Sequence, residues 1–187
     1  MPLKGPILAL GLAALASVAT PGLKDPAPAK VGIERGGAAW SEAKWPFLLD
    51  QWGTGRAYRC SAGACGAETN LYLRAKVGFC NCETGVADDA EVDRVADVEL
   101  LGDRYAPAGD GRPITVGWMK GRSRAYALET ARGARRVLAV AFNDKCDVVV
   151  ATVVAELELP AGADDAALAF LNGNQVLRWA KAELGAQ

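Results

Sequence analysis

Histidine is absent from the 187 residues of this chain. Its absence excludes the Ser-His-Asp and Cys-His arrangements that activate a nucleophile, as well as histidine general bases and histidine metal ligands. Serine is scarce after residue 19, and none of the remaining serines lies in a Gly-x-Ser-x-Gly nucleophile motif. No catalytic residue and no cofactor are therefore predicted, and the sequence favours a non-catalytic protein.

A strong charge of either sign is also missing, since the formal net charge is -1. A chain this close to neutral has no general attraction to nucleic acid or to an anionic membrane, so no nucleic-acid partner is predicted. Hydrophobic residues make up 51% and charged residues 23% of the chain, which is an ordinary globular balance and excludes wholesale disorder.

The sequence has one hydrophobic run as long as 13 residues, the N-terminal stretch ILALGLAALASVA at residues 7–19. It follows Lys4, ends in small residues and is shorter than the roughly 20 residues that cross a bilayer, as is typical of a secretory signal peptide. An uncleaved anchor is the competing interpretation. We expect a cleaved signal peptide (1–19), an extended Pro/Gly/Ala-rich leader (20–38) and a single domain (39–187). A periplasmic or secreted location follows, with no membrane span after cleavage.

Cysteine is present five times, and four of the five lie within 23 residues: Cys60, Cys65, Cys80 and Cys82, with Cys146 far downstream. In an oxidising compartment paired thiols usually form disulfides, so a structural role is expected first. An odd number leaves at least one cysteine without a partner in the chain. Two bridges among five cysteines can be drawn in 15 ways, five choices of free residue times three pairings, and the sequence does not choose among them.

Two other functions of these cysteines stay open. Four thiolates could hold zinc or Cu(I), although the spacings of four and one intervening residues fit the usual metal-binding pairs poorly, and the metal is unknown. Alternatively, Cys80 and Cys82 could form a reactive pair for thiol–disulfide exchange. Both alternatives use the cysteine cluster of residues 60–82.

Charge is segregated along the middle of the chain. Acidic residues dominate positions 83–110, where Asp88 and Asp89 could begin a solvent-exposed helix with a narrow valine stripe. Basic residues dominate positions 111–136, where residues 120–123, within the sequence MKGRSR, are predicted to be a turn between strands at 114–119 and 124–128. Its basic side chains could bind a phosphate, sulfate or carboxylate; these candidates are Lys120, Arg122 and Arg124. The alternative is that this basic turn balances the acidic helix.

The hydrophobic pattern predicts an α+β fold: an antiparallel sheet of about six or seven strands, covered by the acidic helix and a C-terminal helix. Further strands are expected at 44–49 on an edge, at 56–60 and 68–79 as a hairpin, and at 137–142 and 146–155 as a second hairpin. The run CDVVVATVVA is predicted to be a central strand buried on both faces. Residues 163–184 should be helical, with a break at Asn172-Gly173-Asn174.

The strand ending in VVVATVV and the amphipathic helix that closes the chain resemble the PsbP/Mog1 group of α+β domains, over about the last 60 residues. This resemblance implies partner binding or assembly assistance, and it carries no functional residue to this chain. We therefore expect an exported, disulfide-stapled domain that binds a protein partner in the cell envelope or assists envelope assembly. The alternative is a thiolate metal-binding or thiol–disulfide exchange protein.

Overall fold

The computed structural model describes residues 39–185, so the predictions for the signal peptide and the leader lie outside the described residues. Eight strands, four α-helices and one short 3-10 helix follow in this order: β1 (Trp40–Ala43), β2 (Arg56–Cys60), α1 (Ala62–Cys65), β3 (Thr69–Lys76), α2 (Asp89–Val95), the 3-10 helix (Val98–Leu100), β4 (Tyr105–Pro107), β5 (Arg112–Val116), β6 (Met119–Thr130), β7 (Gly133–Asp144), β8 (Asp147–Ala155), α3 (Ala163–Leu171) and α4 (Asn174–Leu184).

The strands form one antiparallel sheet in the order β1-β2-β3-β8-β7-β6-β4, and β5 pairs with the same strand β6. The predicted α+β class is confirmed. The sheet has eight strands because the short strand β4 forms within the acidic stretch, where the sequence indicated only a helix.

Strand β8 lies at the centre of the sheet, between β3 and β7. Its register aligns Thr69 with Ala155 on one side and Val137 with Val154 on the other. Every residue of β8 after Asp147 is buried. A strand with helices over both faces needs apolar side chains at every position, and β-branched residues fit that pleated surface well.

Helices cover both faces of the sheet. On one face, α3 and α4 place Phe170, Leu171 and Val176 in a core with residues of β3, β7 and β8. On the other face, α2 and the 3-10 helix bury Val92 and Val95, together with Val98, against β6, β7 and β8. The predicted covering helices are therefore present, and the narrow valine stripe of the acidic helix is its contact with the sheet.

The predicted break in the C-terminal helix lies between α3 and α4. The Asn172 side chain donates to the carbonyl oxygens of Leu168 (2.9 Å) and Thr115 (3.2 Å), and its own oxygen accepts from the N–H of Gly117 (2.9 Å). These hydrogen bonds hold the end of α3 against the turn between β5 and β6.

Two local predictions were wrong. Residues 44–49 do not form the edge strand; that strand is β1, which ends at Ala43. The predicted turn at 120–123 lies inside β6, and the chain reverses at residues 117–118, where Gly117 has φ +58°. Gly121 indicated a turn, but its role is different: a Cβ there would overlap the carbonyl oxygen of Ala141, so glycine lets β6 lie close to β7.

Candidate functional site

The basic residues predicted to bind an anion face the acidic helix α2. Arg122 donates from Nε to Asp89 Oδ1 at 2.8 Å, and Arg124 donates from Nη1 to Asp93 Oδ2 at 2.7 Å. Lys120 is exposed on the same strand. Hydrogen bonds from the Gly111 N–H and from Arg122 hold the pKa of Asp89 below its usual value.

Contacts between the basic strand and the acidic helix are what the alternative interpretation predicts, in which the charges of the basic segment balance those of the helix. The two guanidinium groups are half-buried and already bound to carboxylates of the same domain. An external anion at Arg122 or Arg124 would have to compete with these carboxylates, so anion binding by the three basic residues stays a prediction.

The structure contains two disulfides. Cys60–Cys65 closes the short loop that carries α1, with a Cα–Cα distance of 6.0 Å. Cys82–Cys146 joins the segment after β3 to the turn before β8, with a Cα–Cα distance of 4.1 Å. Bridged sulfurs are not thiolates, so the alternative, a cluster of four thiolates around a metal ion, is not formed. Within residues 39–185, no three Cys, Asp or Glu side chains come together as a metal site.

All five cysteines lie in the described range, and Cys80 is the free one. It is buried, its N–H donates to the carbonyl oxygen of Cys146 at 3.0 Å, and its Sγ lies 3.2 Å from the carbonyl oxygen of Lys145. Burial raises the pKa of the Cys80 thiol to about 11, and the charges of Glu91 and Asp147 act in the same direction. The thiol is therefore protonated at neutral pH.

A buried charge cluster lies under the segment 44–55, and sequence analysis missed it. Arg74 (2% exposed) donates from Nε and Nη2 to both oxygens of Asp97 (3% exposed), at 2.9 and 2.6 Å. Lys76 (3% exposed) lies 2.7 Å from the same carboxylate and donates to the carbonyl oxygen of Val95 at 2.8 Å. Along β3 the charged residues Arg74 and Lys76 alternate with apolar ones, and the structure buries both charged side chains as well.

Aromatic side chains of the segment 44–55 cover this cluster. Phe47 packs edge-on against Tyr72 with ring centroids 4.8 Å apart, and the Trp45 ring lies 5.9 Å from the Arg74 guanidinium carbon. Contacts of a cation with an aromatic face stabilise it where water is excluded. The side chains of Trp45 and Phe47 therefore attach the first half of the segment to β3.

The second half of the segment is attached through Trp52. Its ring contacts Phe79 with centroids 4.5 Å apart, and Lys76 Nζ lies 5.7 Å from the Trp52 ring and 5.4 Å from the Phe79 ring. The Lys76 ammonium thus has a carboxylate, a carbonyl and two aromatic faces around it, which compensates for the loss of its hydration.

Asp50 connects the segment 44–55 to the buried cluster. Its Oδ2 accepts from Arg74 Nη1 at 2.6 Å, and its Oδ1 accepts from the N–H of Trp52 at 2.8 Å. Partial desolvation acts to raise the pKa of Asp50, but the hydrogen bonds from Arg74 and Trp52 outweigh it, and the pKa lies below the ordinary value. Asp50 is therefore an anionic hydrogen-bond acceptor at neutral pH.

Between these inward contacts the segment presents two leucines to solvent. Leu48 is 90% exposed and Leu49 is 75% exposed. A single exposed apolar side chain is ordinary, whereas two consecutive ones on a fixed segment form a small apolar surface. We call this surface the Leu48–Leu49 tip.

A cavity of about 360 Å³ lies between the Cys60–Cys65 loop and the start of α3. Trp40, Pro160 and small residues such as Gly66 and Ala166 line it. Thr69 supplies the only side-chain hydroxyl among these lining residues, and none of them carries a charge. No acid–base side chain in this lining could activate the Thr69 hydroxyl as a nucleophile.

No helix within residues 39–185 is long and apolar enough to cross a membrane. The chain matches no known protein family, and no curated protein is significantly similar to it. The resemblance to the PsbP/Mog1 group stays a prediction.

Proposed function

We propose that this chain is an exported, non-catalytic domain that binds a protein partner of the cell envelope through the Leu48–Leu49 tip. The observation that carries the proposal is the exposure of two consecutive leucines, 90% and 75%, on a segment held in place by its neighbouring side chains. A segment without such contacts could turn its leucines toward the sheet, whereas this one holds them toward solvent.

The fixed geometry of the segment favours binding. Asp50 and Trp52, on the C-terminal side of the tip, are bound to Arg74 and to Phe79. An ordered binding segment loses little conformational entropy when it meets a partner. Full burial of each leucine would contribute about 1.5–3 kcal/mol, so two adjacent leucines can anchor a specific contact.

The disulfides support an extracytoplasmic location. Such bridges form and persist in oxidising compartments, and the predicted signal peptide would direct the chain to one. The buried cluster supports a binding function over a catalytic one, since Arg74 and Lys76 both pair with Asp97 beneath the aromatic cover.

Site-specific photocrosslinking in the native cells tests this proposal. A photoreactive amino acid replaces Leu49 in the full chain, and the matched control replaces Leu157, which is 74% exposed in the connection between β8 and α3. We expect a discrete heterologous protein adduct from position 49 and none from position 157. The double variant Leu48→Ser, Leu49→Ser, crosslinked from the neighbouring exposed position Lys44, should lose that adduct while both disulfides remain intact.

Three results would contradict the proposal. Adducts with lipid alone would mean that the tip contacts a membrane surface. An adduct with a second copy of this chain would indicate self-association. The same adducts from positions 49 and 157 would mean that the tip has no specific partner.

A further inference from the structure

Three cysteines lie together where the end of β3 meets the turn between β7 and β8. Cys82 and Cys146 are bridged, and the free thiol of Cys80 lies two residues before Cys82 in the chain. The proposed partner-binding function uses none of these sulfurs. This cluster is separate in sequence from the other bridge, Cys60–Cys65.

The backbone places Cys80 beside Cys146. The N–H of Cys80 donates to the carbonyl oxygen of Cys146 at 3.0 Å, and a backbone hydrogen bond of this length leaves the two Cα atoms about 5–6.5 Å apart. Disulfides span Cα–Cα distances of about 4.4–6.8 Å, so this pair has the separation that a bridge needs. The Cys80 thiol lies 3.2 Å from the carbonyl oxygen of Lys145, against the peptide bond that leads to Cys146.

We infer that Cys146 has two alternative bridging partners and that the chain can exchange its Cys82–Cys146 disulfide for a Cys80–Cys146 disulfide. Cys80 first loses its proton to solvent. The thiolate sulfur then attacks Cys146 Sγ, a Cys80–Cys146 bond forms, and the Cys82–Cys146 bond breaks. The electron pair of the broken bond leaves with Cys82 Sγ, which takes up a proton. One thiol and one disulfide are present before and after, so no oxidant or reductant is required.

The exchange would change which thiol meets solvent. Cys80 is buried, whereas Cys82 lies in the exposed stretch 81–84. The chain would therefore convert a protected thiol into a surface thiol without a change in its overall oxidation state. A surface thiol is available to alkylating agents and to the disulfides of other proteins.

Formation of the Cys80 thiolate controls the rate. Burial opposes loss of the Cys80 proton, and so do the carboxylates of Glu91 and Asp147. The Arg94 guanidinium favours the thiolate. Because the thiolate is the nucleophile, the exchange should be slow at neutral pH and faster at mildly alkaline pH.

Alkylation of the folded wild-type chain with a maleimide, followed by peptide mapping without reduction, tests the inference. A maleimide traps whichever thiol is accessible. We expect label to accumulate on Cys82 together with a Cys80–Cys146 linked peptide, faster at mildly alkaline than at neutral pH. In Cys80→Ala the attacking thiol is missing, so labelling of Cys82 should be lost. Cys60 and Cys65 serve as internal controls and should stay bridged and unlabelled.

Label on Cys80 alone, or no label at all after prolonged incubation, would overturn the inference, and so would Cys82 labelling that survives in Cys80→Ala. Label on Cys60 or Cys65 would indicate general scrambling and would equally count against it. The variant Cys82→Ser checks the geometry separately. Its four cysteines should form two disulfides, one of them Cys80–Cys146, whereas two free thiols in folded Cys82→Ser would contradict the inferred pairing.

Discussion

Asp97 compensates two buried cations at once. Its carboxylate accepts two hydrogen bonds from Arg74 and lies 2.7 Å from Lys76 Nζ. Removing an ion from water costs several kcal/mol, and the attraction within the pair offsets this cost only with such close, hydrogen-bonded geometry. The contribution of Asp97 to stability is therefore best measured as the loss in free energy of unfolding when its charge is removed.

We predict that Asp97→Asn lowers the free energy of unfolding by about 3–5 kcal/mol, because Arg74 and Lys76 would remain buried without a counter-charge. Urea denaturation followed by far-UV circular dichroism measures this change. The matched control Asp103→Asn, at an exposed acid in the same part of the chain, should change stability by no more than about 0.5 kcal/mol. Equal effects of the two substitutions would mean that Asp97 has no special role.

The sequence offered little means of selecting Asp97. It lies in an acid-rich stretch, and nothing local distinguishes it from its neighbours. Its partners are 21 and 23 residues away, on a strand in which these charged residues alternate with apolar ones. Pairing of this kind depends on which helix covers which face of the sheet, and that is decided by contacts distant in sequence.

At the scale of the elements, local sequence patterns predicted more of the strands and helices than they predicted of the geometry of the site. The two hairpins, β2–β3 and β7–β8, and the break between α3 and α4 follow from alternation, turn residues and glycine, all of which act within a few residues. Residues 44–49 were predicted wrongly because their apolar side chains resemble those of a strand. Trp45 and Phe47 instead pack across the sheet, and Leu48 and Leu49 point to solvent.

The Asp50–Arg74 contact predicts an acid-sensitive segment. The pKa of Asp50 in the folded chain lies below the ordinary value of 3.8, so its stabilising contribution is present above pH 3.8 and is lost as the pH falls through the folded-state value. Tryptophan fluorescence should report an acid transition in the wild type as Trp45 and Trp52 become less ordered.

Asp50→Asn should show altered tryptophan fluorescence already at neutral pH and lack this transition. Glu42→Gln, which removes an exposed carboxylate on β1, should keep the transition of the wild type. An identical acid transition in Asp50→Asn and the wild type would assign the pH dependence to other carboxylates and would contradict the prediction.

At the scale of the whole molecule, the two disulfides constrain the chain unequally. Cys60–Cys65 spans 5 residues, whereas Cys82–Cys146 spans 64. Sequence patterns placed the cysteines in strands and loops but could not pair them. The partner of Cys82 is near it only because β3 and β8 are neighbours in the sheet.

We predict that loss of Cys82–Cys146 destabilises the domain more than loss of Cys60–Cys65. Loop-closure entropy assigns about 4 kcal/mol to the longer loop and about 2 kcal/mol to the shorter one. The comparison is made in a Cys80→Ala background, so that no alternative bridge forms, with Cys82→Ala/Cys146→Ala against Cys60→Ala/Cys65→Ala. Urea unfolding of both should give this order. The reverse order would mean that strain or residual structure in the unfolded chain outweighs loop length.

The central position of β8 also has a consequence for the time course of folding. Strand β3 cannot complete its ladder until β8 arrives, since Thr69 pairs with Ala155 and Lys76 with Val148. Sheets built on such distant pairings fold slowly, and meanwhile the open edge of β3 could pair with another chain. Until Asp97 packs over them, Arg74 and Lys76 would leave two unpaired charges on that open strand, and charged residues on an open strand oppose aggregation. The two cations that need Asp97 in the native state would thus protect the unfinished sheet before it closes.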